Sequence, residues 1–122
     1  MILVDTSVWI AHLRSSNQEL VDLLEDERVL THSFVIGELS CGSLRNRAEF
    51  LRNIRSLPKP QVAIDDDVHF TIEHYHLSGR GIGWIDAHLI AACLLGSVGL
   101  WSGDVRLVAA ASSAGVRVFQ PK

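Results

Sequence analysis

The chain has 122 residues, enough for one core without staples, and a single domain over 1–122 is expected. Hydrophobic residues make up 48% and charged residues 20% of it, the balance of a compact protein and not of a disordered one. The net charge of −3 excludes a broad basic surface, so any binding of nucleic acid must rest on a local basic patch or on a metal. The opening apolar run stops at Asp5, far short of a signal sequence. The longest apolar run, Leu89 to Leu95, falls well below the ~20 residues that cross a bilayer. Cys41 and Cys93 both fall in apolar helical patterns and read as buried free thiols, which points to a reducing cytoplasm.

In chain order, Ile2-Leu3-Val4 reads as a short buried strand that ends at Asp5. A helix is expected over Thr6 to Arg14, and a second from Asn17, a good N-cap, to about Glu27. Arg28 to Thr31 reads as the next strand. Ser33 is expected to cap a helix from Phe34 to about Leu44, and residues 46–57 form another, ended by Pro58-Lys59-Pro60. Val62-Ala63-Ile64 reads as a third strand. Asp65-Asp66-Asp67 then opens a helix that runs to about Leu77, acids being favoured at a helix N-terminus. Residues 78–83 are a glycine-rich connector. Trp84 to Leu95 is apolar nearly all round, so it is a buried helix. Leu100-Trp101 is a strand leading to Ser102-Gly103-Asp104, a helix follows over about Val105 to Ser113, and Val116 to Phe119 is a last strand. Strands alternating with helices predict an α/β fold, a central parallel sheet flanked by helices on both faces.

Ligands of such sheets bind outside the carboxyl ends of the strands. Asp5 and Asp104 each follow a strand directly. Asp86 lies in the first turn of the buried helix, which a right-handed crossover starts near that same edge. Glu38 is mid-helix with Phe34, Val35 and Cys41 at i−4, i−3 and i+3, an apolar setting that is costly for an unpaired carboxylate. Taken singly, Asp5 and Asp104 read as helix caps, Asp86 as a first-turn acid and Glu38 as the partner of a buried Arg. Taken together, they point to one pocket. Each close pair of like charges there costs on the order of 1–4 kcal/mol, and a divalent cation removes that cost. Oxygen ligands without His or Cys favour Mg²⁺ or Mn²⁺ over Zn²⁺.

The stretches that carry these acids are Val4-Asp5-Thr6-Ser7-Val8-Trp9, Ile36-Gly37-Glu38-Leu39, Ile85-Asp86-Ala87-His88-Leu89-Ile90-Ala91 and Leu100-Trp101-Ser102-Gly103-Asp104. In this order and spacing, over nearly the whole chain, they resemble the PIN-domain ribonucleases, specifically the VapC-type toxins of bacterial and archaeal toxin–antitoxin pairs. The resemblance implies that Asp5, Glu38, Asp86 and Asp104 are both the catalytic and the metal-binding residues of a Mg²⁺-dependent endoribonuclease, with Mn²⁺ as a substitute. Asp5 and Asp86 are the choice for direct ligands, Asp104 for an outer or second-metal ligand, and Glu38 for a ligand or for orienting water. Thr6, Ser7 and Ser102 would support them. The family usually has Thr where Ser102 stands, and the hydroxyl is kept. It often has a basic residue where Gly103 stands, and that contact is missing here. The resemblance further implies RNA as substrate, cut to leave a 5′-phosphate and a 3′-hydroxyl. It implies an antitoxin whose Arg enters the acidic site, a homodimer, and a heterotetramer or larger assembly with the antitoxin.

RNA must also be held. Arg45, Arg47, Arg52, Arg55 and Lys59 stand against a single acid, Glu49, and read equally well as a phosphate-binding strip or as a solvated helix face. Trp9 and Trp101 read as core in preference to base-stacking platforms. His69, Glu73 and His76 would share a helix face, a weak signal for a transition-metal site, while His32 and His88 look structural. Two rivals use the same fold differently: a phospho-receiver-like Mg²⁺-binding signalling module, and a catalytically silent PIN-fold binding protein. The first would need paired acids after the first strand and a late Lys other than the terminal Lys122. A dehalogenase-type phosphatase would need Asp-x-Asp-x-Thr, and only Asp5-Thr6 is present.

Overall fold

The computed structural model describes residues 1–122. Its elements are β1 (Ile2–Val4), α1 (Thr6–Arg14), α2 (Gln18–Glu25), β2 (Val29–Leu30), α3 (Ser33–Ser40), α4 (Arg47–Arg55), α5 (Asp65–His74), α6 (Trp84–Gly96), β3 (Gly99–Trp101) and α7 (Val105–Ser113). The strands form a parallel sheet in the order β2-β1-β3, with Leu3 opposite Leu30 on one side and Leu100 on the other. Successive side chains of a strand point to opposite faces. All of β1 and β3 is nonetheless buried, so both faces of the sheet are covered, as parallel sheets require. One continuous core takes in Val8 and Trp9 of α1, Leu20 of α2, Leu39 of α3, Leu51 of α4, Leu89 and Ile90 of α6 and Leu107 of α7. No helix is long and apolar enough to cross a membrane.

Two of the expected strands are not strands. Residues 62–64 pair with no strand, with Val62 and Ile64 exposed and only Ala63 buried. Both sheet edges are already taken. The N–H of Thr31, just past β2, donates to the Pro58 carbonyl at 3.0 Å. Beyond β3, residues 116–119 contribute a single bridge, Val118 to Leu100. The 34–44 helix stops at Ser40, which leaves Cys41 exposed and not buried, while Cys93 is buried as expected. Its cap is His32 and not Ser33: the imidazole Nδ1 accepts the Phe34 N–H at 3.0 Å. Asn17 does cap α2, accepting from the Leu20 N–H at 3.1 Å.

Candidate acidic site at the carboxyl edge of the sheet

Asp5 leaves the central strand with its N–H bonded to the Trp101 carbonyl at 2.9 Å, so its backbone extends the β1–β3 ladder by one step. Its side chain caps nothing, although it precedes α1. It is 6% exposed, and its Oδ2 instead accepts two hydroxyls, Ser102 Oγ at 2.6 Å and Ser7 Oγ at 2.9 Å. Those hydroxyls accept in turn: Ser102 from the Asp104 N–H at 3.0 Å, and Ser7 from the Gly103 N–H at 2.9 Å. The start of α1 and the 102–104 turn are therefore laced together around one carboxylate. A buried charge is tolerable only with such partners.

Asp104 is a true cap. Its Oδ1 accepts the N–H groups of Arg106 and Leu107 at 2.9 and 3.3 Å. Asp86, in the first turn of α6, accepts the Gly83 N–H on Oδ2 at 3.3 Å. Glu38 accepts Thr6 Oγ1 on Oε1 at 2.9 Å. It is exposed, not set on an apolar face, because Val35, Ile36 and Leu39 take the inner side of α3 and Gly37 and Glu38 the outer. Each of the four carboxylates is thus pinned through one oxygen, while the other carries no bond from the chain.

These acids feel one another. Burial raises the Asp86 carboxyl above its usual range, the Gly83 N–H opposes that, and Asp5, Asp104 and Glu38 each push it further up. No three of the chain's Asp, Glu, His or Cys side chains close tightly enough to hold an ion as they stand. What fits a divalent cation is the kind of donor and the charge: oxygen only, four negative groups, four free oxygens.

The other candidates fall elsewhere. Arg45 lines a groove of about 570 Å³ with Ile10, Leu13, Arg14 and Leu44. Arg47 donates to the Ser40 carbonyl at 2.9 Å. Arg52 and Arg55 are exposed on the last turn of α4. No hydrogen bond or ion pair ties any of the four to the acidic edge. Trp9 and Trp101 are core residues, 3% and 4% exposed. The His69, Glu73, His76 face does not form, since α5 ends at His74 and His76 turns left-handed with φ 55°. His32 and His88 are buried among aromatic rings; His88 sits edge-on to Phe34 and Trp84 and 3.5 Å from Asp65. Burial and the neighbouring His88 lower the pKa of His32. Sequence reasoning missed the Gly83 N–H that orients Asp86; a backbone donor has no residue signature. It also missed the division of labour in which Ser7 serves Asp5 and Thr6 serves Glu38.

The PIN domain family model matches residues 2–112, which contain every residue of this edge. The chain belongs to the PIN-domain family. It is 43% identical over 121 residues to Ribonuclease VapC32 of Mycobacterium tuberculosis (strain CDC 1551 / Oshkosh), covering 98% of each chain. The same figures hold for Ribonuclease VapC32 of strain H37Rv. Similarity across the full span of both proteins makes this a VapC-type PIN domain and removes the phospho-receiver and dehalogenase alternatives.

Proposed function

We propose that the chain, read as a single domain over 1–122, is a Mg²⁺- or Mn²⁺-dependent endoribonuclease and the toxin of a type II toxin–antitoxin pair. The observation that carries the reading is the set of four carboxylates at one edge, each held through one oxygen and free at the other, with Asp86 raised by burial first and then by Asp5, Asp104 and Glu38. A charge cluster of that kind is what a divalent cation relieves, and the name of the curated relatives supplies the ribonuclease class.

Asp5, Glu38, Asp86 and Asp104 would hold a divalent cation, which would supply an activated water and a counter-charge for the phosphate in an in-line displacement. Asp5 and Asp86 would bind it through Oδ1, the oxygen each leaves free. Ser7 and Ser102 keep Asp5 in one rotamer, so the carboxylate needs no reordering when it binds. Thr6 holds Glu38 over the edge, to bind the ion or to orient the attacking water. Asp104 spends Oδ1 on α7 and offers Oδ2 as an outer or second ligand. The products would carry a 5′-phosphate and a 3′-hydroxyl. An antitoxin that inserts an Arg among the four acids would replace the metal charge and silence the enzyme. A homodimer, and a heterotetramer or larger complex with the antitoxin, complete the proposed assembly in the cytoplasm.

The test is 5′-end sequencing of total RNA treated with the antitoxin-free protein and Mg²⁺ or Mn²⁺. New 5′-phosphate ends that vanish with EDTA and in Asp5→Ala support the reading and name the substrate. Folded protein that binds Mn²⁺ and yields no new ends favours a silent PIN-fold binder.

A further inference from the structure

Arg106 is the second residue of α7, behind the cap Asp104. A cation in the first turn meets the positive end of the helix dipole, so the position is poor for stability. The helix end itself offers nothing further, because Asp104 has taken the Arg106 and Leu107 amides. Nor is the guanidinium neutralised: the chain's one ion pair joins His88 and Asp65.

Its side chain runs back over the loop before α6. A Cβ placed on Gly81 would lie 2.6 Å from Arg106 Cδ, 3.0 Å from Nη1 and 3.1 Å from Nε. The arginine therefore lies across the bare backbone of Gly81, whose φ of 80° independently calls for glycine. The same loop is tied to α7 again where Arg80 Nη1 donates to Ser113 Oγ at 2.6 Å. Two residues after Gly81, the Gly83 N–H holds Asp86. An exposed, unpaired guanidinium thus lies between the helix that Asp104 caps and the loop that orients Asp86.

We propose that Arg106 binds the RNA backbone at a phosphate next to the one cleaved. The inference rests on the ribonuclease reading above. A polyanion approaching four carboxylates on a protein of net charge −3 needs a local cation, and Arg106 supplies one at the rim.

The test is fluorescence anisotropy of a short fluorescein-labelled single-stranded RNA of mixed sequence, titrated at several salt concentrations. The full chain carries Asp86→Asn to prevent turnover. Adding Arg106→Ala should weaken binding about tenfold and make the slope of log K against log salt shallower by ~0.7, the share of one single-strand phosphate contact. Arg106→Lys should keep the slope. Arg117→Ala, which removes an exposed cation beside the opposite, amino end of β3, should change neither. An Arg106→Ala variant that matches Arg117→Ala overturns the proposal. So does one that loses affinity at unchanged slope, because that marks mere packing on Gly81. A chain without substitutions that neither binds nor cleaves RNA sinks the ribonuclease reading, and this inference with it. Cleavage by that chain together with an unchanged slope in Arg106→Ala sinks this inference alone.

Discussion

Replacing Asp86 by Asn should make the protein more stable and, on the reading proposed here, inactive. The Asp86 carboxyl is raised from its ordinary value of 3.8 by burial and by three neighbouring acids. Each unit by which a folded-state pKa exceeds the unfolded one amounts to about 1.4 kcal/mol of instability once the group is charged. Removing one charge from a partly screened cluster of like charges is worth on the order of 1 kcal/mol, or about 3–6 °C in Tm, and that is the gain expected at neutral pH. The amide oxygen of Asn can still accept the Gly83 N–H, so little is lost in exchange. The sign follows from linkage. Below pH 3.8 the carboxyl is protonated in both the folded and the unfolded chain, and the two proteins should differ little. As pH rises through the folded-state pKa the native chain loses stability and the variant does not, so the gap opens and then levels off. Thermal melts in EDTA from acid to neutral pH read this directly. Adding Mn²⁺ should then raise the Tm of the native chain more than that of the variant, reversing the order. An Asp86→Asn protein less stable than the native chain at neutral pH, or a gap that ignores pH, would refute the idea that these acids repel across one pocket.

Three further outcomes follow from the same contacts. Ser102→Ala takes a donor from buried Asp5 and an acceptor from the Asp104 N–H, so it should cost about 1.5–3 kcal/mol in EDTA, whereas Ser102→Thr should melt close to the native chain. Burial pushes the Cys93 thiol up to about 12, so a thiol-specific reagent at mildly alkaline pH should label exposed Cys41 alone in the folded protein and both cysteines in denaturant. Leu3→Ala, in the middle of the central strand and fully buried, should lower stability by about 2–5 kcal/mol in a denaturant titration without moving the acids.

What the sequence made legible was what is repeated along it. The apolar runs that stop at Asp5 and lead into Asp104 marked the two strands that carry the site, and the all-round apolar stretch from Trp84 located α6. Residues 62–64 misled because β-branched side chains report a fit to a pleated surface and not the presence of a free edge. Pro58 and Val118 occupy the edges they would need. Glu38 was singled out for its apolar neighbours at i−3 and i+3, yet Cys41 lies past the end of α3, so one of those neighbours was never on the helix. The hydroxyls were foreseen as support, but not which one serves which acid. That assignment depends on how the 102–104 turn folds back on α1, a contact across 97 residues of chain.

That long reach has a consequence for synthesis. β1 emerges first from the ribosome but sits in the centre of the sheet, and the strand on its other side, Gly99–Trp101, is made near the end. Contacts of such separation close late and slowly. Asp5 therefore waits, without Ser102 to hold it and without Asp104 across the edge, until residues 99–104 have left the exit tunnel. A nascent or prematurely released chain that stops short of them has the first three acids but not the lacing that aims Asp5. A chain that ends before residue 99 thus lacks the fourth acid, Asp104, and the Ser102 hydroxyl that aims the first.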